Sequence, residues 1–286
     1  MKQHFLNESN NGRYTSDLAC ERHRADTSIP GVTYKKETSG PFTWERIEIS
    51  SHEGEIAIQR PRGSYDTLST ERMDLLDEEE IGDAANEIAG ELCRIFEKTS
   101  VIPTRILVVG LGNPSLTPDS VGPRAAELVN ATLHLYEDDS NAFKNLECSE
   151  IAVFTPGVMA NTGLESSDTV SALCDIIEPD AVIAVDAIAS RSPSRLGTTG
   201  QISNTGIFPG SGIGNKRKAI GERTLGIPVI AIGVPTVISA SAFCASENEE
   251  GESYEDMFVS PRDIDTIVNA SARIISGGIN QAFGIF

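Results

Sequence analysis

Two aspartates in this sequence stand where a carboxylate can do chemistry. Asp119 follows an apolar run, Arg105–Gly110 (RILVVG), in the loop G-L-G-N-P-S-L-T-P-D-S-V-G-P, and Asp186 closes a second such run, Ala181–Asp186 (AVIAVD). Runs that are apolar throughout mark strands buried on both faces of a parallel sheet, and ligands of open α/β sheets gather beyond the carboxyl ends of such strands. Two acids delivered there by different strands can face each other. Close carboxylates do not both ionise cheaply, so one proton is shared. The ionised partner can then draw a proton from water while the protonated one hydrogen-bonds a substrate carbonyl. That is an aspartic-type route to peptide hydrolysis using neither a metal nor a nucleophilic side chain. The local pattern also allows a structural reading, in which Asp119 caps a helix starting near Ser120 and Asp186 caps a turn.

Other chemistries have less behind them. A dinucleotide fingerprint would use Gly110 and Gly112, but Ser115 stands where its third glycine belongs, and Asp119 would repel a phosphate. The four histidines (His4, His23, His52, His134) precede the later strands, and neither H-E-x-x-H nor a Cys/His pair at zinc spacing occurs. There is no G-x-S-x-G elbow, and Cys174 falls in a helical apolar pattern, as a buried small hydrophobe would. A glycine-rich stretch, Asn204–Lys218, carries Lys216, Arg217 and Lys218. It suits an anion nest, a substrate loop or a plain turn.

The elements that must position the two acids can be read from periodicity. Ile151–Phe154 and Ile227–Ile232 are further apolar runs, and helical stretches at Val121–Leu135 and Glu165–Ile177 separate them, predicting a mostly parallel sheet flanked by helices. A helix opening at Ser260-Pro261 and stopping at Gly277-Gly278 closes the chain. Upstream, Thr43–Ser50 and Glu55–Gln59 alternate about a His52-Glu53-Gly54 turn, predicting a hairpin. Glu71–Ser100 reads as an acidic amphipathic helix whose charges form a solvated face, and Glu247–Asp256 as an exposed acidic loop. The expected division is a polar arm at 1–17, a β-rich appendage at about 40–60 and an α/β core at about 71–286.

Composition narrows the function. Across 286 residues, 23 Lys+Arg against 42 Asp+Glu leave a net charge of −19, which disfavours direct binding of nucleic acid or anionic lipid. Five scattered cysteines (Cys20, Cys93, Cys148, Cys174, Cys244) fit reduced thiols in a cytoplasm. The first twenty residues show no signal peptide, and the uncharged Gly226–Ala245 is broken by Pro228 and Pro235, so no membrane span is expected. An acidic, non-catalytic binding protein would share all of these features.

Taken together, VVGLGN, TPD and VGP (Val108–Pro123), PGVMANTG (Pro156–Gly163), VDAIASRSPSR (Val185–Arg195), QISNTGIFPGSGIGNKRK (Gln201–Lys218) and LGIPVIAIGVPTV (Leu225–Val237) resemble the germination endopeptidases of endospore-forming bacteria. The resemblance implies a fold like that of hydrogenase-maturation peptidases, with Asp119 of TPD and Asp186 of VDA as the catalytic pair. It implies degradation of small acid-soluble spore proteins in the spore cytoplasm, a homotetramer and a zymogen that removes its own N-terminal segment. Family members process near T-D-L-A, so the matching Ser16-Asp17-Leu18-Ala19 points to the bond between Asp17 and Leu18, leaving a peptidase domain at 18–286. In the maturation peptidases these acids bind metal with a later histidine. No His follows His134 here, so neither metal nor other cofactor is expected.

Overall fold

The computed structural model describes residues 16–23, 28–99, 101–138, 148–209, 217–240 and 257–284. The arm through residue 15, residues 210–216 of the glycine-rich stretch and the acidic stretch Glu247–Asp256 lie outside them. The chain begins with strands β1 (Val32–Ser39) and β2 (Phe42–Ile49), helix α1 (His52–Ile58), strand β3 (Gly63–Ser69) and helix α2 (Glu78–Thr99). It continues through β4 (Arg105–Gly110), α3 (Val121–Leu128), α4 (Leu133–Asp138), β5 (Glu150–Phe154), α5 (Met159–Thr162), α6 (Ser166–Ile177) and β6 (Ala181–Ser190). Then come β7 (Thr199–Ser203), α7 (Glu222–Leu225), β8 (Val229–Ser239), β9 (Phe258–Val259) and α8 (Ile264–Phe283).

The nine strands of the described residues join one sheet in the order β1-β2-β3-β7-β8-β6-β4-β5, with β9 paired to β8. The pairs β4–β5, β4–β6 and β6–β8 are parallel and the others antiparallel, so the sheet is mixed around a parallel centre. The N-terminal strands continue this sheet, because β3 pairs with β7. Alternation sorts the side chains. Ile183, Val185, Ile230 and Ile232 pack with α2, α3 and α8 on one face. Val182, Ala184, Ile188 and Ala231 pack with α6, the end of α1 and Leu18–Cys20 on the other.

Several elements differ from the sequence expectation for identifiable reasons. Residues 52–58 form α1 instead of the second strand of a hairpin. Ser51 Oγ accepts from Gly54 N–H (3.0 Å), Glu53 and Glu55 fill the first turn, and Gln59 closes the helix at φ 56°. The true hairpin partner is β1, whose Lys35, Lys36 and Glu37 disguise an exposed edge strand. The helix expected over Val121–Leu135 is two, because Thr132 is stitched to the edge of the sheet. Its Oγ1 donates to Ser149 O (2.6 Å) and accepts from Ile151 N–H (2.8 Å). β8 runs on past Ile232 instead of breaking into a loop, and α8 runs through Gly277-Gly278 instead of stopping there. At Gly278 a Cβ would sit 2.5 Å from Ile88 Cγ2, so glycine here sets the close crossing of α8 on α2.

The solvated acidic face expected for α2 is also incomplete. Glu91 is buried and joins Arg94 of α2, Arg46 of β2 and Asp66 of β3 in a charge cluster. Arg94 Nη2 donates to Asp66 Oδ2 at 2.6 Å. Burial, then the charge of Glu91, push the Asp66 carboxyl up to about 7 against the opposing pull of Arg94 and Arg46.

Two predictions follow from this packing. Gly278→Val should cost about 1–3 kcal/mol in urea unfolding by overpacking the crossing, whereas Gly90→Ala on α2, with open space around it, should gain up to about 1 kcal/mol. Between about pH 4 and about pH 7 the folded chain holds the Asp66 proton that the unfolded chain releases, so this group's contribution to stability falls as pH rises. Asp66→Asn should flatten that decline. Subtracting the two stability profiles should leave a difference that falls as pH rises across the window.

Candidate active site

The loop carrying Asp119 is shaped by its own backbone. Leu111 N–H donates to Val185 O (2.8 Å), extending the pairing of β4 with β6 beyond Gly110. Gly112 then turns at φ +118°, where a Cβ would lie 2.0 Å from Asp119 O, so no side chain fits. Asn113 N–H donates both to Asp119 O (3.0 Å) and to Asp119 Oδ2 (2.9 Å). The carboxylate is thus turned back onto its own loop. Ser120, not Asp119, stands at the cap of α3 and makes no side-chain cap bond, so the helix-cap reading of Asp119 does not hold.

Asp186 lies within β6, which continues to Ser190 instead of ending at the acid. It is the first residue beyond the last β4 partner, Val185, and it stands opposite Gly233 of β8. The side chain is buried, and Ala187 N–H donates to Oδ1 (2.9 Å). Burial raises its carboxyl well above the usual carboxylate range, and the negative charge of Asp119 raises it further, opposed by the Ala187 N–H. Asp119 is raised too, chiefly by burial, but the Asn113 N–H and the charge of Arg217 pull it back. The two acids therefore sit at one sheet edge with unequal environments. Of the two, Asp186 is pushed the more strongly toward its protonated form.

Across the sheet, register aligns Asp186 with Gly233 of β8, Gln201 of β7 and Thr67 of β3. The segment Ser16–Glu21, here called the strap, crosses the face that carries these side chains. Asp17 N–H donates to Ala189 O (2.9 Å), and Asp17 Oδ2 accepts from Ala189 N–H (3.0 Å). Arg60 Nη2 reaches Asp17 Oδ1 (3.1 Å) and Ser16 O (2.8 Å). Gln201 holds the next peptide from both sides, accepting from Ala19 N–H (2.8 Å) and donating to Asp17 O (3.3 Å). Leu18 and Ala19 are fully enclosed. The sequence-derived processing bond between Asp17 and Leu18 is therefore buried against β6 and β7, and the charge of Asp17 is felt at Asp186.

Of the other residues singled out in the sequence, Lys218 pairs with Asp168 (2.8 Å) rather than lining an anion nest, while Arg217 bears on both aspartates. Burial raises the Cys174 thiol, so it is no thiolate nucleophile. His23 stacks on Tyr34 and His52 pairs with Glu55. Among the described residues no three His, Cys, Asp or Glu are grouped to hold a metal ion, and no helix is long and apolar enough to cross a membrane. Sequence reasoning gave no role to Arg60 or Gln201. Arg60 lies in a turn with no motif. Gln201 shares its inward face of β7 with two other buried polar residues, Thr199 and Ser203, so nothing local singles it out.

Because Asp186 keeps its proton in the fold while the unfolded chain loses it above the ordinary carboxylate pKa, its contribution to stability falls as pH rises. Asp186→Asn keeps the acceptor for Ala187 N–H and does not titrate. The variant should match the native chain in urea unfolding at about pH 4 and exceed it at about pH 7.5. Equal stability at both would mean that the acid bears no burial penalty.

Comparison with known proteins places this chain in a family. The family model described as Germination protease matches residues 13–248. A germination protease of Caldanaerobacter subterraneus subsp. tengcongensis is 36% identical over 307 residues, 93% of each chain. Another, from Oceanobacillus iheyensis, is 44% identical over 220 residues, which is 75% of this chain and 58% of that protein. Among solved structures, the NiFe hydrogenase maturation protease HycI from Thermococcus kodakarensis aligns at TM-score 0.31 and 17% identity, covering 64% of this chain and 96% of that one. Matched along most of its length by germination proteases, this chain belongs to the germination protease family.

Proposed function

We propose that the chain is an aspartic-type endopeptidase that begins the breakdown of small acid-soluble spore proteins in the cytoplasm of the germinating spore. In this reading it is made as a zymogen that cuts its own Asp17–Leu18 bond, and it works as a homotetramer. The observation that carries the chemistry is the unequal pair at the carboxyl edge of β4 and β6. Asp186 is buried and raised well above the usual range by burial and its neighbour, whereas Asp119, also raised by burial, is pulled back by the Asn113 N–H and the charge of Arg217.

The roles follow from that inequality. Asp119 takes a proton from water as the water oxygen bonds to the scissile carbonyl carbon, and Asp186 gives its proton to the carbonyl oxygen. When the tetrahedral intermediate collapses, the C–N bond breaks, Asp119 passes its proton to the leaving amine, and Asp186 recovers its own from the hydroxyl. No other group is consumed. The membership of the family supports peptidase activity and a germination setting, and the T-D-L-A-like strap supports self-processing.

The full chain should be incubated with a small acid-soluble spore protein and the product masses read. Asp119→Asn and Asp186→Asn should each slow cutting by roughly 10²–10⁴-fold. The native rate should rise and fall with pH, as expected of a pair that works with one proton. Cutting at the native rate by either variant would overturn the two-aspartate mechanism.

A further inference from the structure

The strap is held as a bound peptide is held. Its two carboxylates are met by separate sets of donors. Asp17 is met by Arg60 Nη2 (3.1 Å) and Ala189 N–H (3.0 Å), and Glu21 by Ser190 Oγ (2.8 Å), Arg191 N–H (2.8 Å) and Ser192 N–H (3.0 Å). Between them Leu18 sinks into the apolar cluster with Ile47, Tyr65 and Ile188. Gln201 brackets the peptide unit that joins Asp17 to Leu18, touching its carbonyl and the N–H of Ala19. These donors come from three places in the chain: the turn before β3, the end of β6 and the middle of β7. Gln201 and Asp186 lie in one row across the sheet.

A segment that merely plugged the sheet would leave no room beside it and no donor idle. Here a cavity of about 40 Å³ opens alongside the strap, bordered by Asp17, Arg60, Tyr65, Gln201, Thr205 and Gly233. Among the described residues, none accepts a hydrogen bond from the buried Nε of Arg60. The site therefore holds more cationic donor capacity than the short Asp17 side chain uses, and a longer acidic side chain would reach further into it.

Resting on the peptidase reading above, we propose that Arg60 and the Ser190–Ser192 turn are specificity-determining residues that receive two acidic side chains of a substrate peptide. Gln201 is the positioning residue that sets the peptide bond between them beside Asp186. The strap occupies, within the chain, the groove that a substrate occupies in its turn.

Binding tests this without relying on cleavage. In the full chain, Asp17→Lys sets a like charge against Arg60 and displaces the strap. A fluorescent peptide with the sequence of residues 16–23 should then bind at least about tenfold more tightly than it does to the native chain. Adding Arg60→Gln, which offers no charge to Lys at position 17, should weaken binding by about tenfold or more with unchanged near-UV circular dichroism. No binding to the Asp17→Lys chain, or equal binding with and without Arg60, would overturn the proposal.

Cleavage then separates the roles. The kcat/KM preference for Asp over Asn before the cut should collapse in Arg60→Gln, while Gln201→Ala should lower kcat on both peptides and keep the preference. An unchanged preference in Arg60→Gln would again overturn it. Arg60-dependent binding without any cutting would instead sink the peptidase reading and leave the groove standing.

Discussion

A carboxyl group placed inside an apolar sheet, next to a second carboxyl, cannot keep its charge. Asp186 meets that constraint from both directions, since it is enclosed within β6 and faces the field of Asp119. The surrounding architecture maintains the conflict. β6 pairs with β8 at the acid and with β4 up to the residue before it, and Asp186 is buried there. β4 ends one residue short of it, which leaves the position beside Asp186 to a loop instead of a strand. That loop folds back at Gly112 and ties the Asp119 carboxylate to the Asn113 N–H, so the two carboxyls differ in proton affinity by construction.

The mixed sheet has a function in this scheme. A purely parallel core would end at β8, with an open edge beside the acid. Instead β7 runs antiparallel to β8 and hands the sheet on to β3, β2 and β1. The same face that bears Asp186 is thereby widened into a floor long enough to carry an extended peptide, and Gln201 and Arg60 come with the added strands. The cluster of Arg46, Asp66, Glu91 and Arg94 on the opposite face locks that extension to α2. Such an arrangement contributes orientation more than net stability, because each buried charge is matched only at the cost of its hydration.

Much of this was legible in the sequence, and the limits are physical. The strands β4, β5 and β6 announced themselves because burial on both faces removes alternation, and the acids were visible because each interrupts or follows such a run. β1 was hidden because an edge strand carries charges that read as loop, and α1 because a single turn and a half of Glu55–Gln59 mimics period two. Gly277-Gly278 read as a stop, since local propensity knows nothing of the α2 surface that requires a glycine there. Arg60 and Gln201 were beyond reach for another reason. Their partners lie 43 and 182–184 residues away in the chain, and only register, not local spacing, brings them together.

That separation has a consequence for the order in which the molecule is made and assembled. The strap is synthesised before the groove exists: Asp17 is fastened to a residue 172 positions downstream, and Ala19 to one 182 positions downstream. Contacts this distant in sequence are among the last to form, since the ends of so long a loop must first be brought together by everything between them. Until β6 and β7 have joined the sheet, the N-terminal segment hangs free. A chain that stalls or misfolds leaves it unfastened, where any passing protease can remove it. A fastened strap thus marks a chain in which β6 and β7 have both taken their places in the sheet.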